Sequence, residues 1–248
     1  MEVGFKTDKG VRRSNNEDAC FVMKKDRFFV VADGVGGNNS GEIASRTAVS
    51  EITKFFQEQP LKKKADAEDI RKYFELCMAR ANLAVLQKSQ KIPKNKGMAT
   101  TVVTAYIDKN CAHITNIGDS RAYLLRNGKL NQITEDHTYV NTLLKAGIIS
   151  EEEALNHENR NMITRAIGAD SMVDVDVFDV TIQAGDMILL CTDGLYGEVP
   201  EQEIISIMES EETTTDICNS LVDSANLHGG RDNITMVVLR IMEEDIDE

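Results

Sequence analysis

The sequence predicts an α+β fold in which antiparallel β-sheets form a sandwich covered by helices. Short apolar segments follow one another with turn residues between them, whereas helical patterns occur in separate blocks. Asn127-Gly128, between two of the strand segments, is the strongest hairpin signal in the chain, because both central residues of a type I′ turn need positive φ. Runs of strands joined by hairpins are typical of antiparallel sheets.

The predicted strands are short segments rich in apolar, β-branched or aromatic residues. In chain order they are residues 2–6, 20–23, 28–32, 100–107, 112–117, 121–126, 130–133, 173–180, 187–191 and 234–241.

Two long amphipathic helices are predicted between the third and fourth of these strands, near residues 40–57 and 66–88, because each places its apolar residues on one face. The segment Ser150-Glu151-Glu152-Glu153 predicts a capping box at the start of a short helix. A further helix is predicted near residues 216–227, ending at Gly229-Gly230.

Length and charge limit the classes of protein that fit. The chain has 248 residues without a low-complexity linker, so we expect one domain that spans residues 1–248. The formal net charge is −13, which argues against a nucleic acid as partner, because phosphate backbones are bound by clustered Lys and Arg.

The cysteines and the apolar segments bear on the cellular compartment. The 5 cysteines are scattered and form no Cys-x-x-Cys pair, so we expect reduced residues of the core. No apolar run approaches the ~18 residues of a membrane span, and the N-terminal residues do not resemble a secretory signal. A soluble, cytoplasmic protein that does not bind membranes is therefore expected.

Two apolar strand segments end in the same way, in Asp33-Gly34 and in Asp193-Gly194. An Asp-Gly pair after a strand is usually only a turn. Here, however, three further acidic clusters accompany the pairs, and several carboxylates gathered at one site would repel one another without divalent cations. The clusters are Asn16-Glu17-Asp18, Gly118-Asp119-Ser120-Arg121 and Gly230-Arg231-Asp232-Asn233.

In their order and approximate spacing these segments resemble the metal-dependent PP2C-type Ser/Thr protein phosphatases, and most of all the compact bacterial members of that family. The resemblance covers nearly the whole chain. It implies a β-sandwich of two antiparallel sheets flanked by helix pairs (α-β-β-α), with a small flap at about residues 143–165. It also implies hydrolysis of phosphoserine and phosphothreonine in proteins by a water that bridges two divalent ions.

The resemblance implies a centre of two Mn²⁺ or Mg²⁺ ions, which prefer oxygen ligands. Asp33 and the backbone carbonyl of Gly34 would bridge the two ions, Asp193 and Asp232 would complete one side, and the two acidic residues of the first cluster would act near the other. Asp119, with Asp193, would hold a third, weaker ion. The implied metal ligands are Glu17, Asp18, Asp33, Gly34, Asp119, Asp193 and Asp232.

By the same resemblance, Arg13 would bind the phosphoryl group of the substrate, and Arg13, Asp33 and Asp193 would be the catalytic residues. Arg12-Arg13 could also be an ordinary solvated pair. Some relatives have a histidine where this chain has Val35 or Asn38, which leaves the proton donor to the leaving oxygen open.

Among the histidines, His137 and His157 are the better candidates for a functional role, which the sequence does not define. Arg121 is expected to be structural, and Asn16 and Asn233 are expected to hold loops beside the carboxylates.

The partners expected from the resemblance are phosphorylated proteins, including a cytoplasmic Ser/Thr kinase that the phosphatase would oppose, and we expect a monomer. Two alternatives remain at this point. One is a catalytically inactive relative that serves as a binding module, and the other is a different metal-dependent phosphoester hydrolase such as a nuclease. The presence of every aspartate of the motif argues against the first, and the net charge of −13 argues against the second.

Overall fold

The computed structural model describes residues 1–36, 40–61 and 65–246. The strands are β1 (Glu2–Asp8), β2 (Ala19–Met23), β3 (Phe28–Ala32), β4 (Gly34–Val35), β5 (Ala99–Thr100), β6 (Val102–Asp108), β7 (Cys111–Ile117), β8 (Arg121–Arg126), β9 (Lys129–Gln132), β10 (Asp176–Thr181), β11 (Met187–Cys191) and β12 (Ile234–Arg240). The helices are α1 (Gly41–Glu58), α2 (Ala67–Lys91), α3 (Tyr139–Lys145), α4 (Glu151–Leu155), α5 (Asp193–Tyr196), α6 (Glu201–Ser210) and α7 (Thr214–Leu227).

Within the described residues, two five-stranded antiparallel sheets pack face to face. The first sheet has the strand order β1-β12-β11-β8-β9, and the second has the order β10-β7-β6-β3-β2. Alternate residues of the strands point between the sheets, and there Phe29 and Val31 of β3 form one apolar cluster with Ile188 and Leu190 of β11. The short strands β4 and β5 pair with each other beside this sandwich.

Helices cover both outer faces of the sandwich. On the second sheet, α1 and α2 bury their apolar faces over β3, where the ring of Phe28 stacks on Phe56 with centroids 4.4 Å apart. On the first sheet, α6 and α7 pack residues such as Met208 and Leu221 against Met236 of β12. The predicted α-β-β-α sandwich is therefore confirmed.

Local signals in the sequence are also confirmed. Asn127 and Gly128 have φ angles of 52° and 72°, as the type I′ hairpin requires. Ser150 and Glu153 form the predicted capping box, in which each side chain bonds the other's backbone N–H.

Two predicted strands differ from those of the structure. The segment 100–107 divides into β5 and β6, because the amide of Thr101 leaves the ladder and donates to the carbonyl of Asp33 at 2.9 Å. The segment predicted to begin at residue 173 becomes a strand only at Asp176, because Val173 and Val175 pack against the core beneath α1 and α2 instead of pairing.

The helices α3, α5 and α6 were not predicted. Ile204, Ile205 and Met208 give α6 a buried face at helical spacing, which is the signal that could have revealed it. The helix α3 has only 7 residues and none of them is buried, so it gives no core-facing signal of the kind that α6 gives. Within the described part of the chain, no helix is both long enough and apolar enough to cross a bilayer.

Candidate active site

Antiparallel pairing brings a set of strand ends together at one end of the sandwich. Asp33 directly follows β3, Asp119 follows β7 and Asp193 opens α5 after β11, while Asp18 directly precedes β2 and Asp232 lies just before β12. Neighbouring strands run in opposite directions, so the end of one strand lies beside the beginning of the next. These ends and beginnings therefore all lie at the same end of the sandwich. The five aspartates named from the sequence therefore form one cluster, here called the carboxylate cluster.

Two buried oxygens of the carboxylate cluster have no hydrogen-bond partner among the described residues. The hydroxyl of Thr192 donates to Oδ2 of Asp18 at 2.9 Å, but Oδ1 of Asp18 and Oδ1 of Asp193 find no hydrogen-bond partner among the described residues. A buried carboxylate oxygen without a donor destabilises a fold unless a cation or a proton is supplied.

The pKa values of the carboxylates reflect their burial and the like charges around them. Burial, followed by the charges of Asp18, Asp193 and its other neighbours in the cluster, holds the pKa of Asp33 well above its usual range. Burial is also the main cause that raises the pKa of Asp18 to about 7, of Asp119 to about 7 and of Asp193 to about 6. The protein without bound cations therefore resists full ionisation of the cluster at neutral pH.

Arg13 lies at the rim of the carboxylate cluster. Its Nη2 donates to Oδ2 of Asp232 at 2.6 Å, and its Nε donates to the carbonyl of Arg231 at 3.3 Å. The side chain of Arg13 is 49% exposed, so the guanidinium borders both the carboxylates and the solvent. An exposed guanidinium at this place can bind a phosphoryl group that enters from solvent.

The loop that carries Arg13 and Glu17 is fastened by Asn233. The Asn233 side chain accepts from the backbone N–H of Glu17 and donates to the carbonyls of Lys9 and Asn15, each at 2.8 Å. Burial raises the pKa of Glu17 at the edge of the cluster. The predicted loop-holding role of Asn233 agrees with these bonds.

Asn16 contributes in the same loop. Its Oδ1 accepts from the backbone N–H of Asp18 at 3.1 Å, and its Nδ2 donates to the hydroxyl of Thr7 at 2.8 Å.

Gly34 lies where no larger residue fits. A Cβ on Gly34 would approach the carbonyl oxygen of Gly41 to 2.2 Å and that of Glu17 to 2.5 Å. The close packing brings the backbone of Gly34 against the start of α1 and against the loop of Glu17.

The backbone beside Asp119 is held from α5. The hydroxyl of Tyr196 donates to the carbonyl of Asp119 at 2.9 Å, so the turn between β7 and β8 is tied to the helix that begins at Asp193. Arg121 lies over the ring of Tyr196 at 3.6 Å and forms an ion pair with Asp136 at 2.6 Å. These contacts agree with a structural role for Arg121.

His137 links the Asp119 turn to the flap. Its Nδ1 accepts from the backbone N–H of Gly118 at 3.0 Å, which requires the proton on Nε2, and Nε2 contacts Oδ2 of Asp176 at 3.0 Å. Burial lowers the pKa of His137. Both ring nitrogens are thus occupied, and we interpret His137 as a positioning residue. Val35 is exposed, and Asn38 lies outside the described residues.

The flap was predicted at about residues 143–165, and because α3 begins at Tyr139 we take it here as residues 139–165. Its two ends meet beside His137. Thr138 and Ile163 form an isolated bridge at its base, and the amide of Thr164 donates to the carbonyl of His137 at 2.8 Å. Only Ala154 is buried in α4, and His157 uses its Nδ1 for the backbone N–H of Asn159 at 3.0 Å.

Comparison with known proteins identifies the architecture. The family model for protein phosphatase 2C matches residues 9–229. The chain belongs to the protein phosphatase 2C family.

Full-length relatives carry names that agree with this assignment. The serine/threonine phosphatase stp of Listeria monocytogenes serotype 4b (strain F2365) is 38% identical over 251 residues, with 100% of this chain and 98% of that protein covered. Protein phosphatase PhpP of Streptococcus pneumoniae serotype 2 (strain D39 / NCTC 7466) is 35% identical over 250 residues, with 100% of both chains covered. The chain is thus a metal-dependent protein serine/threonine phosphatase.

Solved structures share the fold. The S. agalactiae serine/threonine phosphatase superimposes with a TM-score of 0.89 at 31% identity, covering 97% of this chain and 99% of that one. The catalytic domain of the serine/threonine phosphatase PstP in complex with 2 manganese ions has a TM-score of 0.83 at 31% identity, covering 97% of each chain.

The carboxylate cluster of this PP2C phosphatase fits hard divalent cations. Its donors are carboxylate oxygens and the nearby carbonyl of Gly34, and oxygen donors are those that Mn²⁺ and Mg²⁺ prefer. The partnerless buried oxygens of Asp18 and Asp193, and the pKa values that burial raises, both fit a site that binds cations. The residues present could therefore hold such ions.

Sequence reasoning missed the residues that support this phosphatase site. Thr192 directly precedes Asp193, so its place was visible, but its bond to Asp18 crosses 174 positions of sequence. Tyr196 lies one helical turn after Asp193, a spacing that could have suggested its contact with this site.

Proposed function

We propose that the carboxylate cluster is the catalytic centre of this phosphatase and that it hydrolyses phosphoserine and phosphothreonine in proteins with Mn²⁺ or Mg²⁺. The observation that carries the proposal is the pair of buried oxygens on Asp18 and Asp193 that lack partners among the described residues, within a cluster of mutually repelling carboxylates. Such a cluster is suited to bind cations and, through them, a phosphate ester.

The proposed ligands are those that the family resemblance implies. Asp33 and the carbonyl of Gly34 would hold two ions, and Asp193 and Asp232 would be further ligands of one of them. Glu17 and Asp18 would act near the other site, partly through water. Asp119, together with Asp193, would hold a third and weaker ion. When bound, the ions supply Lewis acidity, which lowers the pKa of water toward neutrality and offsets phosphoryl charge.

The chain's own residues orient the substrate. Arg13 presents its guanidinium at the rim, where the planar fork can donate to two phosphoryl oxygens, and its bond to Asp232 fixes its direction. Asn233 and Asn16 hold the loop that carries Arg13 in place. In this proposal Arg13, Asp33 and Asp193 are the catalytic residues.

The flap is proposed to contact the protein substrate. Ile148, Leu155 and Met162 expose large apolar side chains there, and the base of the flap adjoins the Asp119 turn through His137. A phosphorylated protein is large enough to reach both the flap and the cluster, whereas a small aryl phosphate is not.

We further propose that residues 1–248 act as one catalytic domain, as a cytoplasmic monomer that opposes a Ser/Thr kinase. The net charge of −13 disfavours a nucleic acid as partner.

The test is phosphate release from a phosphothreonine peptide with and without Mn²⁺. We expect release in Mn²⁺, loss of release in EDTA and recovery when Mn²⁺ is added in excess. Full activity in EDTA after dialysis would contradict the proposed centre. Binding of the peptide without release would favour an inactive binding module, and cleavage of DNA in the same buffer would favour another phosphoester hydrolase.

A further inference from the structure

A second group of metal-ligating side chains lies away from the carboxylate cluster, on the face of the second sheet that α1 and α2 cover. Cys111 and His113 are alternate residues of β7, so they point to the same face, and Asp179 of β10 is the register partner of His113. The thiol sulfur, an imidazole nitrogen and a carboxylate oxygen of these residues all lie within 4.8 Å of one another.

This group is separated from the catalytic end by the length of β7. Cys111 begins the strand and Ile117 ends it, which at about 3.3 Å per residue places Cys111 roughly 20 Å from the end that leads to Asp119. An ion held here would not be one of the ions of the carboxylate cluster.

Access and rigidity both suit a bound ion. β10 is an edge strand of its sheet, and the Asp179 side chain is 41% exposed, so an ion can enter from solvent. The His113 side chain is only 6% exposed and lies 6.0 Å from the ring of Tyr106 in a stacked arrangement. Nδ1 of His113 contacts Oδ1 of Asp179 at 2.7 Å, which already directs two donors toward each other.

The local charge also favours a cation. Burial, and then the negative charges of Asp179 and Asp108, raises the pKa of the Cys111 thiol. These two acidic groups would attract a divalent ion to the thiol, and the positive charge of the bound ion would then stabilise the thiolate.

We propose that Cys111, His113 and Asp179 form a binding site for a borderline-soft divalent ion of the Zn²⁺ class. Sulfur and nitrogen ligands select Zn²⁺ or Co²⁺ over Mn²⁺ and Mg²⁺, which prefer oxygen. Three protein ligands leave the fourth tetrahedral position to water. Tetrahedral ligands lie about 3.5 Å apart, so modest side-chain rotations bring the three donors into place.

The binding step is balanced. The S–H bond of Cys111 breaks, its proton passes to solvent and a sulfur–metal bond forms. The proton shared by Nδ1 of His113 and Asp179 moves to Nε2 of the same imidazole, and the ion takes its place between the two side chains. No oxidation or reduction is involved.

The test uses Co²⁺ as a spectroscopic probe of the full chain at saturating Mn²⁺. We expect a thiolate-to-Co²⁺ charge-transfer absorption that saturates at one equivalent and is absent in Cys111→Ser. Cys20→Ser is the matched control, because Cys20 is also partly exposed but adjoins Asp18 of the carboxylate cluster, and it should keep the absorption. An absorption lost in Cys20→Ser and kept in Cys111→Ser would overturn the proposal, as would no absorption in the wild type.

A second variant keeps the test decisive if Cys111→Ser does not fold. Asp179→Asn keeps the shape of a half-exposed side chain, and we expect it to weaken Co²⁺ binding at least tenfold by the same absorption. Mn²⁺-dependent hydrolysis of p-nitrophenyl phosphate should stay within twofold of wild type in both variants, which shows that they fold. Unchanged Co²⁺ affinity in Asp179→Asn would mean that its contact with His113 is only a cross-strand hydrogen bond.

Discussion

The carboxylate cluster and the flap are neighbours built in opposite ways. The strands that carry Asp33 and Asp193 are buried along their whole length, and the bonds from Thr192, Asn233 and Tyr196 fix the surrounding loops. In the flap, by contrast, α3 buries no residue and α4 buries only Ala154.

The difference separates two tasks. Groups that repel one another can be held close only by a rigid scaffold, which the strand ends provide. A surface that must accept different proteins needs exposed groups and few constraints, which the flap provides. The two regions are built from different segments and meet at His137. We therefore expect that substitutions in the flap leave the carboxylate cluster intact, and that substitutions in the cluster leave the flap intact.

The largest expected effect is on turnover. We expect Asp33→Ala to lower kcat for p-nitrophenyl phosphate by roughly a thousandfold at saturating Mn²⁺, because the variant loses a shared ligand of the proposed centre. The exposed Asp223→Ala on α7 is the control and should stay near wild type. Near-normal turnover of Asp33→Ala would refute the assignment.

Thermal unfolding in EDTA separates this effect from misfolding. Because Asp33 is a partly buried acid among like charges, Asp33→Ala should melt no lower than wild type without metal. A lower melting temperature would mean that the loss of turnover reports on folding.

The next effect concerns the flap. We expect neutralising or shortening residues 150–158 to change kcat/KM for a phosphoprotein by at least about tenfold, or roughly 1.4 kcal/mol, with a much smaller change for p-nitrophenyl phosphate. The small substrate does not reach this segment. Both substrates are compared side by side at saturating Mn²⁺. Equal changes in the two would show that the segment supports the catalytic centre instead of selecting the substrate.

A smaller effect is expected at the rim. Arg13→Ala should raise KM for p-nitrophenyl phosphate roughly three- to tenfold with little change in kcat, because a half-exposed charge–phosphate contact is lost. Arg12→Ala, the exposed neighbour, is the matched control and should leave KM unchanged. The Mn²⁺ concentration for half activation should not rise, since the variant removes a positive charge beside Asp232. Equal effects of the two substitutions would indicate a general charge effect.

Much of the fold follows from local patterns in the sequence. Short apolar strands, the Asn127-Gly128 turn and two long amphipathic segments are each determined by neighbouring residues, and all were predicted correctly in type. The helix α3 could not be predicted in this way, because its 7 residues are too few for a clear periodic pattern and none of them is fully buried.

The same distinction between local patterns and contacts of distant segments applies to the site. The positions of the aspartates could be predicted, because antiparallel strands bring alternate ends together and the motif marks those ends. The contacts between distant segments could not, since they depend on how the sheets pack. The bond between His137 and Asp176 spans 39 positions, and the approach of Asp179 to His113 depends on the register of β10 against β7.

The central claim is that the carboxylate cluster is a cation site, and the Mn²⁺-induced change in melting temperature across pH tests it. Without metal, the raised pKa values of Asp18 and Asp193, about 7 and about 6, mean that protonation stabilises the fold. This stabilisation is complete below the unfolded-state pKa of about 4 and is lost as pH rises to about 7.

Mn²⁺ requires the ionised carboxylates and should replace the lost stabilisation. We predict that saturating Mn²⁺ raises the melting temperature by several degrees at pH 8 and by much less at pH 5, and that Asp33→Asn removes most of the rise. A Mn²⁺-induced rise that is equal at pH 5 and pH 8, or that is unchanged in Asp33→Asn, would contradict the account.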